Sequence, residues 1–115
     1  MTDLLPGADR DEDTLKYGPT PTIGPVLESL FEVIRQRGED RPEGSYTAKL
    51  LSGPQDKLLK KIGEEATEVV MAAKDNDAAQ LRYESADLVY HLMVVLARAG
   101  LTPDDLAAEL ASRFK

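Results

Sequence analysis

The stretch Glu84-Ser85-Ala86-Asp87-Leu88-Val89-Tyr90-His91-Leu92-Met93-Val94-Val95-Leu96-Ala97 decides how this chain is read. It is the most apolar run in the sequence, yet its acids and its histidine recur at three- and four-residue steps, and Gln80 extends the series upstream. At ~100° per residue, Gln80, Glu84, Asp87 and His91 fall on one narrow strip of a helix that is apolar round most of its circumference. A polar strip on a central helix must face something polar. The pattern predicts a helix from about Ala78 to Ala99, with Asp and Asn of the preceding Lys74-Asp75-Asn76-Asp77 turn available as caps and Gly100 suited to its end.

Outward from this helix the same periodicity continues. A long helix is predicted from about Gln55 to Lys74, with Leu58, Leu59, Ile62, Ala66, Val69 and Ala73 on one face that reads as core. Upstream, Ile23, Val26, Leu27, Leu30, Phe31 and Ile34 mark an amphipathic helix ending near Gly38. After a polar link to Gly44, Ser45 caps a short helix, Tyr46 to Ser52, that Gly53 and Pro54 interrupt. Downstream, Thr102-Pro103-Asp104-Asp105 combines a capping hydroxyl, proline at the first helical position and acids near the positive end of the helix dipole. Leu106, Leu110 and Phe114 form the stripe of that last helix. The expected fold is all-α, a bundle of about four to five helices, with residues 22–115 as one domain and residues 1–21 as a flexible acidic leader.

Composition narrows the function. The chain has 115 residues, no cysteine and no tryptophan, and a formal net charge of −7. That charge argues against general binding of nucleic acid or anionic membranes. Without cysteine there is no disulfide, thiol nucleophile or Cys-ligated zinc, so a bound metal should be a hard ion held by oxygen. No signal peptide or membrane span is readable, and a cytoplasmic location is expected. Signatures of P-loop, dinucleotide-binding and serine-hydrolase sites are absent.

The acids then carry the chemistry. On the long helix Glu65 lies at the edge of the apolar stripe and Glu68 beside it, three residues on, whereas Glu64 projects nearly opposite and should meet solvent. Glu65 and Glu68 can therefore point into the same interhelical cleft as Glu84 and Asp87. Read singly, each Glu-x-x-acid pair is the ordinary pattern of a solvated face or an ion pair. Paired on successive helices, one of them apolar, they make a candidate Mg²⁺ site, because adjacent part-buried carboxylates stay ionised only when cations or donors compensate. Lys57 and Lys61, one turn apart on the side bearing Glu65 and Glu68, could meet phosphates, or simply pair with neighbouring acids. His91 could orient a carboxylate, touch substrate or serve only the packing.

The strings Ser45 to Lys74, "SYTAKLLSGPQDKLLKKIGEEATEVVMAAK", and Glu84 to Leu96, "ESADLVYHLMVVL", resemble the phosphoribosyl-ATP pyrophosphatase family from roughly Ile23 onward. This places the chain among the all-α MazG-like pyrophosphohydrolases, whose Glu-x-x-Glu and Glu-x-x-Asp signature is matched by Glu65, Glu68, Glu84 and Asp87. The wording around Ser45, Tyr46, Thr47 and Lys49, with "KKIGEEATEVV", points to phosphoribosyl-ATP. The resemblance implies Mg²⁺, a bundle completed by homodimerisation, and release of pyrophosphate to give phosphoribosyl-AMP in the second step of histidine biosynthesis. Only this step is expected, since the zinc site of the next enzyme would need cysteine.

On that reading the four acids hold Mg²⁺, Glu64 or Glu68 serves as the base for the attacking water, and Lys57 and Lys61 neutralise the leaving pyrophosphate. Ser45, Tyr46, Thr47, Lys49 and His91 become candidate substrate contacts. Two other functions compete: a house-cleaning NTP or dNTP pyrophosphatase of the MazG type, and a non-catalytic helical dimerisation module.

Overall fold

The computed structural model describes residues 21–115. The leader expected over residues 1–21 lies, Pro21 apart, outside the described residues. Five helices follow: α1 Ile23–Asp40, α2 Tyr46–Ser52, α3 Gln55–Lys74, α4 Ala78–Arg98 and α5 Pro103–Ser112. Among the described residues there is no strand, and the fold is all-α as the periodicity predicts.

α1 runs two residues past Gly38, where the sequence predicts its end. Glycine serves close packing there instead: a Cβ at position 38 would stand 3.0 Å from Leu51 Cδ1. The helix stops at Arg41, which takes the left-handed conformation (φ 47°) and donates its N–H to the Arg37 carbonyl. The seven residues of α2 are too few to hold a helix unaided. Ser45 Oγ accepts the Ala48 N–H at 3.1 Å, and at the other end the Arg98 guanidinium donates to the carbonyls of Leu50 and Gly53, both at 2.8 Å.

α3 and α4 have 20 and 21 residues, roughly 30 Å each at ~1.5 Å per residue. Only Asp75 to Asp77 joins them, with Asn76 left-handed (φ 55°) and the Asp77 carboxylate accepting the Gln80 N–H at 3.0 Å. So short a link returns the chain antiparallel, as a helical hairpin. α4 is central, packing against α1, α2 and α3. The core of Ile34, Leu50, Leu58, Tyr90, Met93 and Val94 gathers where the start of α3 and the end of α4 are covered by α1 and α2. Gly100 (φ 80°) ends the turn after α4, and Thr102 and Asp105 form a reciprocal capping box for α5. Of that helix's apolar stripe only Leu106 reaches the core; Leu110 and Phe114 are exposed.

One expectation is corrected. The predicted core face of α3 divides: Leu58 is buried, Ile62 and Val69 are half-buried, and Leu59, Ala66 and Ala73 are exposed. The line that packs inward is Leu58, Glu65 and Ala72, spaced by seven residues. Glu65 is thus at the centre of the contact with α4 rather than at its edge. Apolar periodicity marks every face that is apolar, including one the chain itself leaves open, so its mean direction fell between two faces.

Ile34 is fully buried between α1 and the hairpin. Truncating it leaves a cavity as well as removing apolar contact. Ile34→Ala should lower the unfolding free energy by about 2–5 kcal/mol, read as a lower urea midpoint with an unchanged slope.

Candidate metal centre

Three residues on the facing sides of α3 and α4 converge. Glu65, Glu84 and Asp87 each offer a carboxylate oxygen, and the three oxygens lie within 4.8 Å of one another. Glu65 and Glu84 are buried, each 6 % exposed. Their placement follows from helix geometry: Glu65 stands one and two turns from inward-packed Leu58 and Ala72, and Glu84 and Asp87 share the α4 strip with His91. That strip does face α3.

Partners account for part of this polarity. Gln80 Nε2 donates to Glu84 Oε1 at 2.6 Å, one turn along the strip. Gln80 stood on the strip in the sequence, but nothing there gave it this task beyond its four-residue spacing from Glu84. His91 Nδ1 lies 2.9 Å from the Asp87 carbonyl oxygen and in contact with Glu65 Oε1. A carbonyl can only accept, so Nδ1 carries the hydrogen and Nε2 accepts from the Tyr46 hydroxyl at 2.9 Å.

Two oxygens remain. Both are buried: Glu65 Oε1 is met by the His91 N–H edge, and Glu84 Oε2 has no hydrogen-bond partner. A buried carboxylate oxygen short of donors is costly, and three converging carboxylates, two of them buried, suit a hard divalent cation, which takes oxygen ligands and offsets their charges. The residues present therefore fit an Mg²⁺ ion.

The electrostatics agree. Burial, followed by the Asp87 charge, pushes the Glu65 carboxyl up to about 7, with partial relief from Lys61. Exposed Glu68 is raised as well, chiefly because its carboxyl shares a hydrogen with Glu84 beside it. Burial lowers His91, which keeps the imidazole neutral near pH 7. Glu68 thus joins the group from its solvent side, next to a cleft lined by Met71, Ala72, Asp75, Asp77, Gln80 and Glu84. Glu64 is exposed, as its angular position predicts.

The other candidates separate by place. Lys57 and Lys61 are exposed on α3, and Lys61 is near enough to act on Glu65. Lys49 is exposed on α2. Ser45 is buried as the cap of α2, and Thr47, with no exposed surface, shares a hydrogen bond with the Tyr90 hydroxyl. Tyr46 reaches His91. The Ser45-Tyr46-Thr47 segment accordingly docks α2 onto α4, a role that its sequence could not separate from ligand contact because both need hydroxyls.

A helical hairpin that brings Glu65 of one arm against Glu84 and Asp87 of the other, inside an all-α bundle, defines the class: a helical protein organised round an acidic centre. The sequence matches the phosphoribosyl-ATP pyrophosphohydrolase family over residues 27–114, and the chain belongs to that family of hydrolases. It is 56% identical over 88 residues to a phosphoribosyl-ATP pyrophosphatase of Pelotomaculum thermopropionicum, covering 76% of this chain and 90% of the relative. It is 53% identical over 87 residues to one of Limosilactobacillus fermentum, covering 76% and 82%. A histidine biosynthesis bifunctional protein of Thermus thermophilus is 46% identical over 93 residues, 81% of this chain and 44% of that longer protein. No helix among the described residues is long and apolar enough to cross a membrane.

The raised Glu65 carboxyl has a thermodynamic sign. Its folded value of about 7 exceeds the ordinary 4.5, so the native state binds more protons between those values and Glu65 costs stability as pH rises through that window. His91 acts in the opposite direction, so the comparison must be with a variant. In EDTA, the stability of Glu65→Gln relative to the parent should increase from pH 5 to pH 7 and level off above it, measured by urea unfolding at each pH.

Proposed function

We propose that this chain hydrolyses phosphoribosyl-ATP to phosphoribosyl-AMP and pyrophosphate, the second step of histidine biosynthesis, at an Mg²⁺ centre formed by Glu65, Glu68, Glu84 and Asp87. The substrate is supported by the names of the relatives. The observation that carries the metal centre is the convergence of Glu65, Glu84 and Asp87, whose carboxylate oxygens lie within 4.8 Å of one another with Glu65 and Glu84 buried.

Bound there, Mg²⁺ would supply positive charge against the triphosphate and lower the pKa of a coordinated water. The chain's own residues divide the remaining work. Glu65, Glu84 and Asp87 would hold the ion from within the seam, and Glu68 would join from the solvent side. Glu64 and Glu68, both exposed, are the carboxylates open to a water aligned with the α–β phosphoanhydride, and one of them takes its proton. Lys57 and Lys61, exposed on the same helix, neutralise charge on the departing pyrophosphate. Lys49 remains a candidate substrate contact.

With Mg²⁺ present, phosphate analysis should find pyrophosphate released chiefly from phosphoribosyl-ATP among a panel of nucleotides. Release from ordinary NTPs alone would overturn the substrate. Glu84→Gln and Asp87→Asn should each weaken Mg²⁺ binding; unchanged affinity in both would remove the metal centre.

A second copy of the chain completes the bundle in this reading. Leu59, Ala66, Val70 and Ala73 recur along one side of α3 and are all exposed, Leu59 by 44 % and Val70 by 57 %. Such a stripe on a 115-residue chain is the surface a helical partner would cover. Light scattering should return twice the chain mass, and Leu59→Asp with Val70→Asp should return the single-chain mass.

A further inference from the structure

His91 is 3 % exposed, so it cannot meet a substrate from its present position, and its ring is held on every polar atom. Nε2 receives the Tyr46 hydroxyl at 2.9 Å, and Nδ1 is directed to the Asp87 carbonyl oxygen at 2.9 Å. The ring plane is fixed as well. Tyr46 and Tyr90 lie edge-on to it, with interplanar angles of 88° and 74° and centroid separations of 5.9 and 4.8 Å. The edge so fixed is the one that touches Glu65 Oε1.

This matters because Glu65 and its neighbours approach from different helices. Asp87 and Glu84 belong to α4, as does His91, whereas Glu65 belongs to α3. A glutamate has three side-chain torsions, and the structure brings Glu65 Oε1 against the His91 Nδ1 edge. The imidazole edge is the rigid surface against which that carboxylate rests. It is anchored to the peptide of Asp87 on one side and, through Tyr46, to α2 on the other.

We infer that Tyr46 and His91 are positioning residues for Glu65: the Tyr46 hydroxyl fixes the His91 ring, and the ring sets the Glu65 carboxylate in register with Glu84 and Asp87 for a divalent cation. The inference rests on the metal centre proposed above. Neither residue touches substrate; each acts through the next. The arrangement gives α2 a connection to the acidic centre, and it accounts for a tyrosine hydroxyl aimed inward at a histidine.

The test is direct binding of Mn²⁺, followed by electron paramagnetic resonance, on the full chain, with urea unfolding in EDTA alongside. The parent should bind Mn²⁺, and Glu84→Gln should bind it much more weakly. His91→Ala should weaken binding about 10–100-fold, as loss of a ligand-orienting partner does. Tyr46→Phe, which removes one oxygen atom, should weaken it roughly two- to tenfold, the worth of one hydrogen bond. His91→Asn, whose amide N–H can occupy the Nδ1 position, should recover part of the loss. The double variant of His91→Ala and Tyr46→Phe should bind no worse than His91→Ala alone, because Tyr46 acts through His91. Tyr46→Phe keeps the ring and its packing, so it remains informative if His91→Ala fails to fold. Parental Mn²⁺ affinity in Tyr46→Phe and His91→Asn, with binding lost in Glu84→Gln, would overturn the positioning roles alone. No Mn²⁺ binding by the parent would overturn the metal centre and this inference together.

Discussion

The structure depends on a repulsion held closed. Glu65 and Glu84 face each other in the seam of the α3–α4 hairpin, both buried, with Asp87 beside them. Like charges in such a setting drive their helices apart unless something offsets them. The apolar residues that resist this are not at the acids but at one end of the hairpin, where Leu58, Tyr90, Met93 and Val94 meet Ile34 and Leu50. The hairpin behaves as a clamp, apolar where the chain's own helices cover it and acidic further toward the turn that joins its arms.

This division explains why the smaller elements are fastened so carefully. α2 could not persist as a free seven-residue helix, yet it supplies Leu50 to the core and Tyr46 to His91. Arg98 of α4 satisfies its C-terminal carbonyls, Ser45 satisfies its first turn, and Thr47 joins it to Tyr90. Each fastening ties α2 to itself or to α4, the helix carrying half the acidic group. The core and the acidic centre therefore share a frame, and a disturbance in α2 is transmitted to both.

Much of this was legible in the sequence, and the parts that were not have a common cause. The strip Gln80, Glu84, Asp87 and His91 follows from helical pitch alone, because three polar residues and a histidine on an apolar helix admit one angular solution. The helix limits followed from local chemistry in the same way, as in the Thr102 and Asp105 capping box. The inward face of α3 did not follow. Its apolar side chains occupy two adjacent faces, and only the tertiary arrangement shows that Leu58 and Ala72 pack inward while Leu59 and Ala66 stay open. The docking role of the Ser45-Tyr46-Thr47 segment was not legible for a related reason: hydroxyls that dock a helix and hydroxyls that bind a ligand are written with the same letters. Gly38 was read as a helix end, whereas it makes room for Leu51.

The chemical identity of the group beside Glu65 is itself informative. A lysine or arginine at position 91 would pair with the Glu65 carboxylate, satisfy Oε1 and lower its affinity for any other cation. A purely apolar residue would leave the carboxylate without a polar wall. Histidine, kept neutral by burial, does neither. Its N–H edge places a positive partial charge against the carboxylate without pairing it with a full cation. Lys61, whose charge acts on Glu65, stays exposed on the rim of the seam.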